Sequence, residues 1–291
     1  MIKIDRVLFP TDFSDSSYSA LPHAQSVARR FNAELLLGHV RFPLLEGSPN
    51  EELLQFFDEE KYSKYVEEKL HLVASQVEYT EFRPVVKNNI SAASGILELV
   101  ETEGIDLIVM ATHGRTGLGH FVMGSVAEKV ARHSPVPVLT VSSRTDCYRS
   151  CPDYRRILVG YDFSHFSRSA VADALELARF YEAELDILHV IERKVDSGYY
   201  ETWREKAREE APGICAEMEE KLDSLLGRPR KEGIRLEVKI GNGDGRVADE
   251  IMEYAAYREI DLLVVGTHGF TCLLYTSPSP RDLSTSRMPS S

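Results

Sequence analysis

Short apolar runs alternate along this chain with longer stretches in which apolar residues return every three or four positions. Arg6 to Phe9, Glu34 to Val40, Glu81 to Val86, Asp106 to Ala111 and Val136 to Val141 read as strands. Between the first two, Tyr18, Leu21, Ala24, Ala28 and Phe31 keep the spacing of one helix face, and Ser14 stands where the helix N-cap belongs. Tyr65, Val66, Leu70, Val73 and Val77 predict a second helix, and Ile96, Leu97 and Val100 a third. Strands alternating with helices pair in parallel through right-handed crossovers, which gives an open sheet covered on both faces.

The whole pattern then occurs again. Val7-Leu8-Phe9-Pro10-Thr11-Asp12-Phe13-Ser14 returns as Ile157-Leu158-Val159-Gly160-Tyr161-Asp162-Phe163-Ser164, 150 positions on, and His39-Val40 returns as His189-Val190 at the same offset. Ile105-Asp106-Leu107-Ile108-Val109 returns as Ile260-Asp261-Leu262-Leu263-Val264, now 155 positions on, together with Thr112-His113-Gly114 as Thr267-His268-Gly269. Blocks matched in order, with one small change of offset, indicate a duplication with an insertion. The junction falls in the polar stretch Ser142 to Cys147, before Tyr154-Arg155-Arg156 opens the second copy.

In open parallel sheets ligands bind beyond the carboxyl ends of the strands, where the strand order reverses. Asp12 follows the first strand, Val40 closes the second, and Ala111-Thr112-His113-Gly114 follows the fourth, so three segments converge on one crevice. Gly114, Gly117 and Gly119 lie in the last of these, and Gly124-Ser125 opens a further helical pattern through Val126, Lys129 and Val130. Glycines allow close approach of backbone to ligand, and free N–H groups at a helix start favour phosphate. A glycine-rich turn with an N-cap is the alternative reading, and a capping carboxylate is the alternative for Asp12 and Asp162.

These blocks resemble the universal stress protein family. The resemblance rests on Pro10-Thr11-Asp12-Phe13-Ser14, on His39-Val40, and on the spacing of the family's Gly-x2-Gly-x9-Gly-Ser at residues 111 to 125, and it covers nearly all of 1–145 and 154–271. It implies an α/β fold of two tandem Rossmann-like or flavodoxin-like units, with open parallel sheets of order 3-2-1-4-5, packed as an internal pseudo-dimer. It also implies a pocket for ATP or a related adenine nucleotide, with magnesium as a candidate companion ion. Carried over by position, Pro10, Thr11, Asp12, Val40, Met110, Ala111, Gly114, Gly124, Ser125 and Val126 line that pocket in the first copy. Asp162, Val190, Gly266 and Gly269 form an incomplete counterpart in the second, beside Val265.

Two departures from the family pattern stand out. Ala111 replaces the leading glycine of the first copy, which weakens the expected nucleotide contact. After Thr271 the second copy has Ser279-Pro280 where the spacing calls for Gly-Ser, so its phosphate loop, last helix and last strand are expected to be missing. The Ser/Pro/Arg bias of 272–291 reads as a disordered, non-native tail.

Other chemistry is less well supported. The sequence contains no Gly-x4-Gly-Lys-Ser/Thr phosphate loop and no cysteine–histidine cluster at zinc spacing. His113 and His268 could titrate near neutral pH, but nothing supplies a paired nucleophile, and holding the loop is the simpler role. His39 and His189 read as structural histidines. Gly241-Asn242-Gly243-Asp244-Gly245 reads as a strand-to-helix turn. A net charge of -12 over 291 residues excludes a general nucleic-acid binder. Four scattered cysteines, no signal-peptide core at Met1 to Arg6 and no apolar run near the ~20 residues of a membrane span point to a cytoplasmic protein with no membrane partner. The expected function is a nucleotide-binding stress-response regulator with weak or no turnover, not an enzyme, because no general base is visible for a γ-phosphate. The rivals are a scaffold acting through protein partners, homodimers among them, and a transferase or hydrolase on the same fold.

Overall fold

The computed structural model describes residues 3–42, 59–75, 82–112, 123–142, 152–191, 234–240 and 247–266, with parts of 209–220. The chain divides into two compact units, the first over Lys3–Asp153 and the second from Tyr154 onward.

In the first unit, β1 (Arg6–Pro10), β2 (Glu34–Arg41), β3 (Phe82–Asn88), β4 (Leu107–Ala111) and β5 (Val138–Val141) form one parallel sheet of order β3-β2-β1-β4-β5. The helices are α1 (Asp15–Tyr18), α2 (Leu21–Phe31), α3 (Glu59–Ser75), α4 (Ala92–Glu103) and α5 (Ser125–His133). The central strands are buried on both faces, which is why they read as continuous apolar runs such as Leu35-Leu36-Leu37 and Ile108-Val109-Met110. Leu36, Ile96, Leu99, Ile108 and Val130 belong to the core on one face.

The second unit repeats the plan. Its strands β6 (Arg156–Gly160), β7 (Glu184–Ile191), β8 (Ile234–Ile240) and β9 (Leu262–Val264) give the order β8-β7-β6-β9, with helices α6 (His165–Tyr181) and α7 (Val247–Tyr257). This is the first sheet's arrangement for its first four strands. The fifth strand's place, the tail 272–291 and the turn 241–246 lie outside the described residues.

The expected first helix is in fact two. Pro22 enters at the start of α2, and a proline ring clashes with the carbonyl four residues earlier while offering no N–H. The second unit has Ala172 at that place, and α6 runs unbroken for 17 residues. β5 begins at Val138, two residues later than the apolar run suggests. Pro137 has no N–H for the ladder and serves only as an acceptor, from the N–H of Ile108 at 3.1 Å.

His23 is buried on α2, and loss of hydration lowers its pKa from 6.5 to about 4. The fold therefore holds the neutral ring. The contribution is complete above the unfolded value and is lost as pH falls from 6.5 toward 4. We predict that acidification from pH 7 to pH 5 weakens the first unit by about 2 kcal/mol through this residue. His23→Gln should remove that increment, read as the difference between urea midpoints at the two pH values.

Candidate functional site

The carboxyl end of β1 turns sharply. Phe13 adopts φ 64°, a left-handed conformation rare for an aromatic residue, and Phe163 repeats it at φ 63° in the second unit. Asp12 Oδ1 accepts from both the N–H of Ser14 (3.0 Å) and its hydroxyl (2.6 Å), while Ser14 Oγ accepts from Ser17 N–H at 3.1 Å. The N-cap of α1 is thus Ser14, as its position in sequence suggests, and Asp12 buttresses the cap. Asp162 and Ser164 do the same for α6, with Ser164 N–H to Asp162 Oδ1 at 3.0 Å and Ser167 N–H to Ser164 Oγ at 3.1 Å.

β2 reaches the same place. Thr11 N–H donates to Gly38 O at 2.8 Å, and buried His39 donates through Nδ1 to Thr11 O at 2.9 Å. His189 bonds Tyr161 O in the same way, at 2.7 Å. Both histidines therefore brace the turn after the first strand, the structural role expected of them. The Phe13 ring stacks on His39 with centroids 4.4 Å apart, and Tyr65 of α3 meets Phe13 edge-on at 6.4 Å. Burial, with Tyr65, Asp15 and Asp12 adding, raises the Tyr18 hydroxyl above its ordinary pKa, so it stays protonated beside this loop.

β4 supplies Met110 and Ala111, both buried. Thr112 N–H donates to Val141 O at 2.8 Å, and Thr112 O accepts from Gly124 N–H at 2.7 Å. That second bond draws the start of α5 to the end of β4 and closes the loop between them at its neck. Gly124 is the N-cap of α5 and no side chain caps that helix, whereas Ser14, Ser91 and Ser164 cap α1, α4 and α6. Its φ of -63° is open to any residue, so what glycine contributes is the absence of a side chain above the first-turn N–H groups of Ser125, Val126 and Ala127.

Pro10, Thr11, Asp12, Val40, Met110, Ala111, Gly124, Ser125 and Val126 therefore all belong to segments that meet at one end of the first sheet. Gly114 and His113 lie outside the described residues, as do Gly269 and His268 in the second unit, where Asp162, Val190 and Gly266 stand at the corresponding strand ends. Among the described residues no three His, Cys, Asp or Glu side chains are grouped to hold a metal ion, and no helix is long and apolar enough to cross a membrane.

The Ala111 departure has a packing account. A Cβ on Gly266 would lie 3.2 Å from the Phe166 carbonyl carbon and Cβ. The crowding atoms are the backbone and Cβ of Phe166, which Ser16 at the matched place in the first unit also carries, so a shift of the helix start, and not the size of the side chain, would make room for Ala111.

The sequence reading passed over Phe13 and Gly95. Phe13 was visible as part of the repeated Asp-Phe-Ser. Gly95 was visible as a glycine inside a helical pattern, and a Cβ there would come within 2.6 and 2.8 Å of the two Val40 methyls. Alanine favours a helix over glycine by about 1 kcal/mol, but overpacking costs about 1–3 kcal/mol. Gly95→Ala should thus lower the first unit's stability by about 1 kcal/mol and move the Val40 methyl resonances. A stabilised variant with unmoved Val40 would show that the contact is slack.

Comparison with known proteins returns a consistent result. The model of the universal stress protein family matches residues 3–142 and 153–280. A universal stress protein of Methanocaldococcus jannaschii is 31% identical over 156 residues, covering 48% of this chain and 95% of that protein. The crystal structure of a universal stress protein from Archaeoglobus fulgidus matches with TM-score 0.60 at 21% identity, over 90% of this chain and 86% of that one, a likeness of fold. A universal stress protein solved in complex with cAMP is 26% identical, with TM-score 0.37, over 48% of this chain and 97% of that chain.

Proposed function

The chain belongs to the universal stress protein family, and on that premise we propose that its first unit binds an adenine nucleotide and acts as a stress-response regulator in the cytoplasm. The observation that carries this reading is the 2.7 Å bond from Gly124 N–H to Thr112 O. It ties an uncapped helix start, with the Ser125 hydroxyl, to the end of β4 that bears Ala111, in the sheet whose neighbouring strands end at Asp12 and Val40. Phosphate suits the N–H groups and hydroxyl of that helix start. Asp12, at the opposite side of the switch point, suits a nucleoside hydroxyl or base N–H. Magnesium, where it accompanies the nucleotide, would be held by the phosphates and water, since the described residues offer it no carboxylate cluster.

In this reading the protein binds and signals, with the nucleotide retained. The second unit contributes an incomplete site, since Ser279-Pro280 stand where Gly-Ser would complete it. The two units act as a pseudo-dimer, and a homodimer is a further level of assembly.

One observation favours a second reading. Asp12 Oδ1 is already engaged by the backbone and hydroxyl of Ser14, which is what a pure capping carboxylate does. A scaffold that works through protein partners needs nothing more from it.

Calorimetric titration of ATP into the full chain separates the two. The nucleotide reading predicts one site per chain with a dissociation constant on the order of micromolar, weakened at least about tenfold (~1.4 kcal/mol) by Gly124→Asp, which sets a carboxylate over the helix start. A well-folded parent that takes up no heat with ATP, ADP or cAMP would leave the scaffold reading in its place.

A further inference from the structure

Helix α4 packs on β2 and β3, and α7 packs on β7, so the two helices hold corresponding places in their units. Ladder register matches the positions beneath them. Leu36 pairs with Arg83 in the first sheet, and Asp186 pairs with Arg235 in the second. On the helices, the 155-residue offset matches Gly95 with Glu250, Leu99 with Tyr254 and Glu103 with Arg258.

These matched positions have changed together. In the first unit Leu36 and Leu99 are both fully buried in one apolar core. Arg83 reaches over them to Glu34 and to Glu103 of the helix, each at 2.7 Å. In the second unit the leucine in the strand has become Asp186, only 3% exposed. Tyr254 donates its hydroxyl to Asp186 Oδ2 at 3.0 Å, Arg258 donates Nε to the same oxygen at 3.0 Å, and Arg235 Nε lies 3.6 Å from Oδ1. The ion pair has been reversed as well. The anion, Glu103, ends the helix in the first unit, and the cation, Arg258, directly follows the helix in the second. Burial and the Asp186 carboxylate push the Tyr254 hydroxyl well above its ordinary pKa, so it remains a donor. A third difference is steric. Gly95 leaves no room for a side chain against Val40, while Glu250 at the matched place pairs with Lys239 at 2.8 Å.

We propose that these matched differences form a recognition code by which each helix fits only the sheet of its own repeat, keeping two duplicated halves of one chain from exchanging helices. Tethering makes the wrong pairing an intramolecular competitor, so discrimination has to come from the contacts themselves. With α7 on the first sheet, Arg258 would meet Arg83 without the carboxylate that stands between Arg258 and Arg235 in its own unit, the Tyr254 hydroxyl would face Leu36, and Glu250 would drive into Val40. With α4 on the second sheet, Asp186 would be buried against Leu99 and beside Glu103, left with Arg235 and stripped of the Tyr254 and Arg258 donors. Each exchange meets a buried polar group without its partner and a like-charge contact, the elements by which a wrong partner is rejected.

The test uses the full chain and two variants. The first carries Glu250→Gly, Tyr254→Leu and Arg258→Glu, which gives α7 the first unit's face over an unchanged Asp186. The second adds Asp186→Leu, which gives the second unit the first unit's code throughout. Hydrogen exchange read by mass spectrometry, before and after refolding from urea, follows both units separately, and the first unit serves as internal control. We expect the first variant to lose protection in β7 and α7. The second should regain that protection at equilibrium, yet recover only about a third or less of the parent's share of single-population native monomer after refolding, because both helices now fit both sheets. Retained α7 protection in the first variant would overturn the proposal. So would a second variant that fails to regain protection, or one that refolds to a single native population at the parent's yield.

Discussion

Asp106 accepts the backbone N–H groups of both Asp5 and Arg6, at 2.8 and 3.0 Å, and so fixes the residue before β4 to the start of β1. Arg6 returns the clasp, donating Nη1 to Glu103 O at the end of α4. The second unit repeats the device, with Asp261 accepting from Arg155 and Arg156 at 2.9 Å each and Arg156 Nη1 donating to Arg258 O at 3.0 Å. Hydrogen bonds to a charged acceptor contribute about 1.5–3 kcal/mol when sheltered and less at a surface such as this one. Their larger consequence is topological. They seat β4 beside β1, across from β2, and that is where the strand order reverses, the place at which open parallel sheets bind ligands.

Everything assigned to the candidate site follows from that placement. β1 delivers Asp12, β2 delivers Val40, and β4 delivers Ala111 with Thr112, whose carbonyl holds Gly124 and the start of α5. The turn after β1 is braced by His39 and covered by Phe13, so the backbone there is fixed before any ligand arrives. Such preorganisation lowers the ordering cost of binding. The second unit keeps the brace, with His189 on Tyr161, and brings the backbone of Phe166 close against Gly266. The repeats thus share a frame and differ in what stands around the crevice and beneath the neighbouring helix.

Much of this was legible in the chain. Two-sided burial makes strands such as Leu35-Leu36-Leu37 continuous apolar runs, and the ordered recurrence of Asp12, His39 and Asp106 as Asp162, His189 and Asp261 revealed the duplication. The family, the parallel sheets and the Ser14 cap followed from those residues. What escaped depended on geometry. Pro22 announced a break in the first helix, but an apolar spacing that runs through it hides the break from periodicity. Gly95 looked like an ordinary helical glycine until Val40 was placed against it. Asp186 sat unremarked between Leu185 and Ile187, because only the folded unit brings Tyr254 and Arg258 to it from about 70 residues away in sequence.

We propose that the β1–β4 switch point of the first unit is the nucleotide site of this chain. Amide chemical-shift mapping of the full chain during addition of ATP tests it most directly. We expect a compact set of saturable shifts at Thr11 to Phe13, Val40, Thr112 and Ser125 to Ala127, with Tyr161 to Phe163, Val190 and Gly266 unmoved. Saturable shifts centred on the second unit, or an unchanged spectrum at millimolar ATP, would contradict it.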